Sequence, residues 1–285
     1  MRLFLLTALT MTAFAANSVL TRLALTGTAL GPGNFAAIRL ASGAVMLMAL
    51  VALRPRAAPL PLRARLPGAA MLALYVLGFS FAYVTLDAGV GALLLFGGVQ
   101  ITMFAGALVL RESIPPIRWI GAGIAFAGLA WVLWPPGRSA PDPLGAALML
   151  AAALGWGLYS LIGRKARAPL DATAWSFALA LPAGLVAAWA APGSLDWAGV
   201  GLAVASGALT SGLGYALWYA VLPGLGATIA AIAQLTVPIL AMAGGMVFLG
   251  EPVTLRFVLA ATLVLGGVAL SLVGLRGGAA SVARR

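Results

Sequence analysis

The 285-residue chain has no cysteine and no histidine. Those two absences remove disulfides, thiol nucleophiles, imidazole metal sites and histidine proton relays together. Charge is also scarce, at 8% of residues against the roughly 25% typical of soluble domains. Acids are the rarest: Asp87, Glu112, Asp142, Asp171, Asp196 and Glu251 are the whole set, and each falls at the end of an apolar run. No acid near the centre of a run means no obvious ion-coupling carboxylate of the kind proton- and sodium-driven carriers use. It also argues against export of cationic drugs and against a prenyltransferase, which needs paired Asp-rich motifs.

What is present is apolar: 63% of the residues are hydrophobic. Runs long enough to cross a bilayer need about 20 mostly apolar residues. Ten such runs are marked out by Gly, Pro and Arg, at about 3–24, 33–53, 66–86, 89–110, 117–134, 143–163, 171–190, 197–220, 225–249 and 256–275. They are too long and too uniformly apolar for barrel strands, which alternate over about 10 positions. The expected fold is therefore all-α, a polytopic membrane protein with ten transmembrane helices. Residues 1–16 also read as a signal peptide, with Arg2 ahead of an apolar stretch and Ala13-Phe14-Ala15 as a small-residue site.

The net charge of +11 does not indicate nucleic acid, because the basic residues sit in short clusters between the runs. With the N-terminus in the cytoplasm, thirteen basic residues lie inside, including Arg54, Arg56, Arg63, Arg65, Arg164, Lys165, Arg284 and Arg285. Only Arg22, Arg138 and Arg256 lie outside. The positive-inside rule selects this orientation, with both termini cytoplasmic.

The two halves, 1–138 and 139–285, show ordered correspondences. Phe14, Asn17-Ser18 and Arg22 match Trp156, Tyr159-Ser160 and Arg164 at an offset of 142. Gly78-Phe79 and Tyr83 match Gly214-Tyr215 and Tyr219; Gln100-Ile101-Thr102 matches Gln234-Leu235-Thr236; Glu112 matches Glu251. Five spans per half is an odd number, so the halves are expected to be inverted repeats with a binding site between them near the bilayer midplane. Because span 1 has a partner in span 6, it is expected to be retained rather than cleaved.

Helical spacing then defines a candidate site. Thr10, Phe14, Asn17 and Thr21 form one stripe in span 1, and Trp156 and Tyr159 repeat that geometry in span 6. Phe79 and Tyr83 in span 3, Tyr215 in span 8, Phe96 and Gln100 in span 4 and Gln234 in span 9 add rings and amides. Each also reads as interior packing. Trp218 and Tyr219 are assigned to the inner interface, and Trp119, Trp131, Trp134 and Trp197 to the aromatic belts. Arg39, two turns into span 2, has two readings: a substrate-carboxylate partner, or a cation that snorkels or pairs with helix-terminal carbonyls. Pro238, four after Gln234, is expected to bend span 9. Gly97 and Gly98 are either hinges or close-packing points.

The pattern resembles the EamA-type branch of the drug/metabolite transporter superfamily. The residues that carry the resemblance are Gly33-Asn34-Phe35-x-x-Ile38-Arg39, Leu110-Arg111-Glu112, Leu249-Gly250-Glu251-Pro252 and Leu265-Gly266-Gly267-Val268. The resemblance implies a bacterial inner-membrane exporter of amino acids or related metabolites, and the aromatic content points to the YddG-type exporters of aromatic amino acids. A small-molecule substrate, no cofactor, no metal and a monomer or weak dimer in the lipid bilayer are expected. A nucleotide-sugar carrier is the second reading, and an intramembrane enzyme a distant third.

Overall fold

The computed structural model describes residues 1–54, 61–111, 114–134, 140–164, 166–225 and 227–282. Arg56, Glu112, Arg138, Lys165, Arg284 and Arg285 lie outside the described residues. The described residues contain helices and no strand. Ten helical spans are long and apolar enough to cross a membrane.

Seven spans are single helices: α1 (Arg2–Gly27), α2 (Pro32–Ala52), α3 (Leu62–Ala82), α4 (Ala88–Val109), α5 (Pro116–Leu133), α6 (Pro143–Gly163) and α7 (Pro169–Ala190). Proline at the first positions of α2, α5, α6 and α7 starts each helix where its missing N–H costs no bond. Asp142 and Asp196 cap helix starts, accepting from the N–H of Gly145 and Gly199 at 2.7 and 3.2 Å. α3 begins and ends about a turn earlier than expected. Hydropathy places the apolar stretch, whereas the helix itself starts in the basic segment at Leu62 and carries Arg63 and Arg65 in its first turns.

Spans 8 and 9 are irregular. Span 8, Trp197–Gly224, consists of α8 (Trp197–Val204), a π-helical segment (Ala205–Leu213), α9 (Gly214–Val221) and a terminal 3₁₀ turn. Span 9 is broken into α10 (Ala227–Gln234) and α11 (Val237–Leu249). The break answers to Pro238: it has no N–H to give to the carbonyl of Gln234, and the chain makes tight turns at Leu235 and Thr236 instead. Gly250 ends α11 in the left-handed conformation, with φ of 66°. Span 10 is the first part of α12 (Leu255–Val282).

Spans 3 and 6 pack together, as do 8 and 1; so do 4 and 6, and 9 and 1; so do 3 and 7, and 8 and 2. Spans 2 and 7, 4 and 9, and 5 and 10 pair directly. Exchanging each span with the one five places away interchanges the first six pairings two by two and turns each of the last three into itself, as two-fold-related halves require. Close approach depends on small residues. A Cβ on Gly33 would strike the backbone of Ala187 and Ala188 in span 7. A Cβ on Gly207 would strike Ser42 and the backbone of Arg39.

Candidate functional site

Among the described residues, the largest fully buried side chain is Arg39, with no exposed surface. Its Nε donates to Ser211 Oγ at 3.3 Å and its Nη2 to the Tyr75 hydroxyl at 3.0 Å. The guanidinium lies 5.2 Å from the Tyr75 ring centre and 4.8 Å from that of Phe79. Nη1 has no partner, and no carboxylate among the described residues pairs with this cation. Hydroxyls and ring faces alone hold it. The snorkelling alternative is therefore excluded: span 2 is covered by span 7 and by the π segment of span 8, so the side chain points inward.

Tyr75 and Phe79 also face a cavity between the halves. Its walls include Phe14, Asn17 and Ser18 of span 1, Leu95 and Phe96 of span 4, Trp156 of span 6, Thr210, Tyr215 and Trp218 of span 8, and Gln234 of span 9. Trp156 is at its centre, stacked on Tyr215 at 5.3 Å and on Tyr159 at 5.4 Å, with Tyr75 tilted against it at 5.0 Å. Phe14 meets Tyr215 and Trp218 at 5.8 and 6.0 Å. The cavity volume is about 30 Å³. That admits a water or two rather than an amino acid, so the rings stand closed over the site.

Asn17 is the ordered polar group. Its Oδ1 accepts from Ser206 Oγ at 2.6 Å and from Thr210 Oγ1 at 3.1 Å. With the oxygen occupied, its NH₂ is the end left for the cavity. Gln234 is the last residue of α10, at the break of a discontinuous span, the kind of place where such spans hold ligands.

Two polar ties lie beyond the cavity. At the Arg22 end, Arg22 Nη1 donates to the carbonyls of Tyr83 and Val84 at 3.0 and 2.8 Å, and Nε lies 3.5 Å from Glu251. Glu251 accepts from the N–H of Ala88 at 2.8 Å, capping α4 from the other half of the chain. Burial raises the Glu251 carboxyl above its ordinary value; the Ala88 N–H opposes that rise, Asp87 adds to it and Arg22 opposes it. At the opposite end the Tyr159 hydroxyl bonds Thr173 at 2.8 Å, and Thr173 bonds the Tyr219 hydroxyl at 3.0 Å.

Of the residues singled out by sequence, Asn17, Phe79, Phe96, Trp156, Tyr215 and Gln234 come together around the cavity. Tyr83, Gln100 and Tyr159 are not among its lining. Tyr83 ends α3 and gives its hydroxyl to the Ala88 carbonyl; Tyr159 is turned toward Thr173; Gln100 lies a turn beyond Phe96. Gly97 and Gly98 sit inside an unbroken α4, where Leu129 and Val264, and Ala153 of span 6, press against them. They are close-packing points in this conformation. Trp218 lines the cavity and Tyr219 joins the Thr173 tie, so neither belongs to an interfacial belt. Trp119, Trp131, Trp134 and Trp197 are exposed, as belt residues are.

Tyr75 was legible, since it continues the Phe79–Tyr83 face at the same four-residue spacing. Thr210 was not. It is five residues from Tyr215, a separation that α periodicity puts on different faces, and the π segment brings both to one wall.

The family model described as the EamA-like transporter family matches residues 143–273. An uncharacterized protein of Pseudomonas aeruginosa is 50% identical over 273 residues, 95% of this chain and 94% of that protein. The threonine/homoserine exporter RhtA of Salmonella typhimurium is 34% identical over 168 residues, 55% of this chain and 56% of the exporter. A crystal structure of a protein with 18% sequence identity superposes with a TM-score of 0.67 over 95% of this chain and 96% of that one. This last likeness concerns the fold.

Proposed function

This chain belongs to the EamA-like transporter family, and from that premise we propose that it exports amino acids with aromatic or large apolar side chains. One observation carries the substrate class. The cavity between the halves is walled by rings and amides, and the charge beside it is a buried guanidinium with no acidic partner among the described residues. Rings suit an apolar or aromatic side chain, and amides and hydroxyls suit a zwitterionic head. Asn17, Phe79, Phe96, Trp156, Tyr215 and Gln234 form the substrate site, Arg39 serves the carboxylate, and Tyr83, Gln100 and Tyr159 are placed one layer away. Similarity to an exporter of threonine and homoserine supports an amino-acid head group; the aromatic walls shift the side-chain preference toward larger substrates.

Transport proceeds by alternating access between repeats 1–138 and 139–285, with the break before Pro238 as the hinge of span 9. The chain is a multi-pass membrane transporter. Its distribution of basic residues favours the bacterial inner membrane with both termini cytoplasmic. The Arg22–Glu251 tie then closes the outer side and the Tyr159–Thr173–Tyr219 tie the inner side. A nucleotide-sugar substrate fits less well, because its phosphates want several cations and none of the described residues lining this cavity is basic.

Counterflow of labelled amino acids into proteoliposomes tests the proposal. Saturable flux of phenylalanine or leucine is expected, lowered in Asn17→Ala and Gln234→Ala; no saturable flux of any amino acid sinks it.

A further inference from the structure

Arg39 does not line the cavity, but Tyr75 does, and the two are joined at 3.0 Å. The direction of that bond matters. The guanidinium only donates, so the phenol oxygen accepts and its own hydrogen remains to be given away. A hydroxyl that accepts from a cation is polarised into a stronger donor. Tyr215 adds a second phenol to the same wall. Elsewhere on the wall the Asn17 NH₂ is offered in the same sense, its oxygen already held by Ser206 and Thr210. The wall is therefore rich in donors and backed by a positive charge. It contains no carboxylate to receive a substrate ammonium.

We infer that Arg39, acting through the hydroxyl of Tyr75, creates a carboxylate subsite in this cavity, and that the transporter selects its substrates by the carboxylate and not by the amino group. The inference rests on reading the cavity as the substrate site. A buried charge without a counter-ion is held at a cost, and a bound carboxylate supplies the missing partner. The ammonium of an amino acid meets only ring faces and amide oxygens. Monocarboxylates with an aromatic or apolar tail and no amino group are thus a second substrate class. Amines without a carboxylate are excluded. Arg39 is a positioning residue here, and Tyr75 makes the contact.

The test uses the full chain in nanodiscs and three probes sharing one tail: 3-phenylpropionate, phenethylamine and the neutral 3-phenylpropan-1-ol. Trp156 and Trp218 on the wall give a fluorescence readout of binding that does not depend on transport, and thermal stabilisation gives a second. Wild-type protein should bind 3-phenylpropionate at least about tenfold tighter than phenethylamine, the ratio a charge-assisted hydrogen bond supports. Tyr75→Phe, which keeps the ring, should weaken the carboxylate about tenfold and leave the alcohol within about twofold. Equal or tighter binding of phenethylamine overturns the inference, as does the absence of 3-phenylpropionate binding. A Tyr75→Phe loss shared equally by acid and alcohol also overturns it. Carboxylate binding without amino-acid counterflow overturns the export reading instead and leaves the subsite standing.

Discussion

Tyr75 and Ser211 bond the same guanidinium from opposite halves of the chain, and they occupy equivalent positions. The offset that relates Gly78 and Tyr83 to Gly214 and Tyr219 also relates Tyr75 to Ser211. Arg39 has no such counterpart, because the offset that carries Phe35 to Phe177 puts Leu181 at its place. A pair of equivalent sites thus serves one charge, and the cavity is electrically one-sided.

Asn17→Ala removes the acceptor of the buried Ser206 hydroxyl, whereas Thr210 keeps the Ser206 carbonyl as its acceptor at 2.9 Å. A buried donor left unpaired costs about 1–3 kcal/mol. The variant should lose that much stability in a thermal or denaturant melt in detergent, and its transport KM should rise. Ser206→Ala, which removes a donor and leaves the acceptor partly served by Thr210, should cost less.

Gly207→Ala puts a methyl group against Ser42 and the backbone of Arg39. Overpacking of this kind costs about 1–3 kcal/mol. Gly123→Ala, in the middle of α5, meets nothing within 4 Å and should leave stability unchanged or raise it by up to about 1 kcal/mol. Melting temperatures of the two variants side by side check the contrast.

Pro238→Ala restores an N–H that can reach the Gln234 carbonyl and lets the broken span close into one helix. The variant should be as stable as the parent or more so. If the break is the hinge, turnover should fall about tenfold or more while KM changes little, a loss of about 1.4 kcal/mol in the conformational step. Unchanged turnover would assign the break to packing.

Glu251 gives a pH signature. Its carboxyl is raised above the ordinary 4.5, chiefly by burial, in a setting that also holds Arg22 and Asp87. A raised group stabilises the fold while it is protonated, so its contribution is complete below the ordinary value and is lost as pH rises through the raised one. Melting temperature should therefore decline over that interval. Glu251→Gln, which cannot ionise, should flatten the decline. A parallel decline in both proteins would place the titration elsewhere.

The ten spans were legible because apolar length is written directly in the sequence; so was the break at Pro238, which follows from a missing N–H. The sequence matches spans 1 and 6, 3 and 8, and 4 and 9 as repeat counterparts through Asn17, Tyr83 and Gln100 and their partners, although only Asn17 of these three lines the cavity. Spacing along a helix fixes a face but not the depth at which that face meets its neighbour. That is why Tyr83 and Tyr159 lie beyond the wall. The burial of Glu251 was hidden for a related reason. It lies at a span end by sequence, yet its side chain is 6% exposed because α4 from the other half folds over it. The role of Thr210 depends on a π segment, for which Ser206, Gly207 and Ser211 give no periodic signal.

Span 9 is broken where its counterpart, span 4, runs straight through Gly97 and Gly98. If the break at Pro238 is the hinge, the conformations open to either side of the membrane are not mirror images, since one half bends at a proline where the other carries a continuous helix. Unlike pivots carry unlike energies, so the two states are unequally populated before any solute binds; that bias sets the apparent affinity on each face, while the solute gradient still sets the direction of net flux.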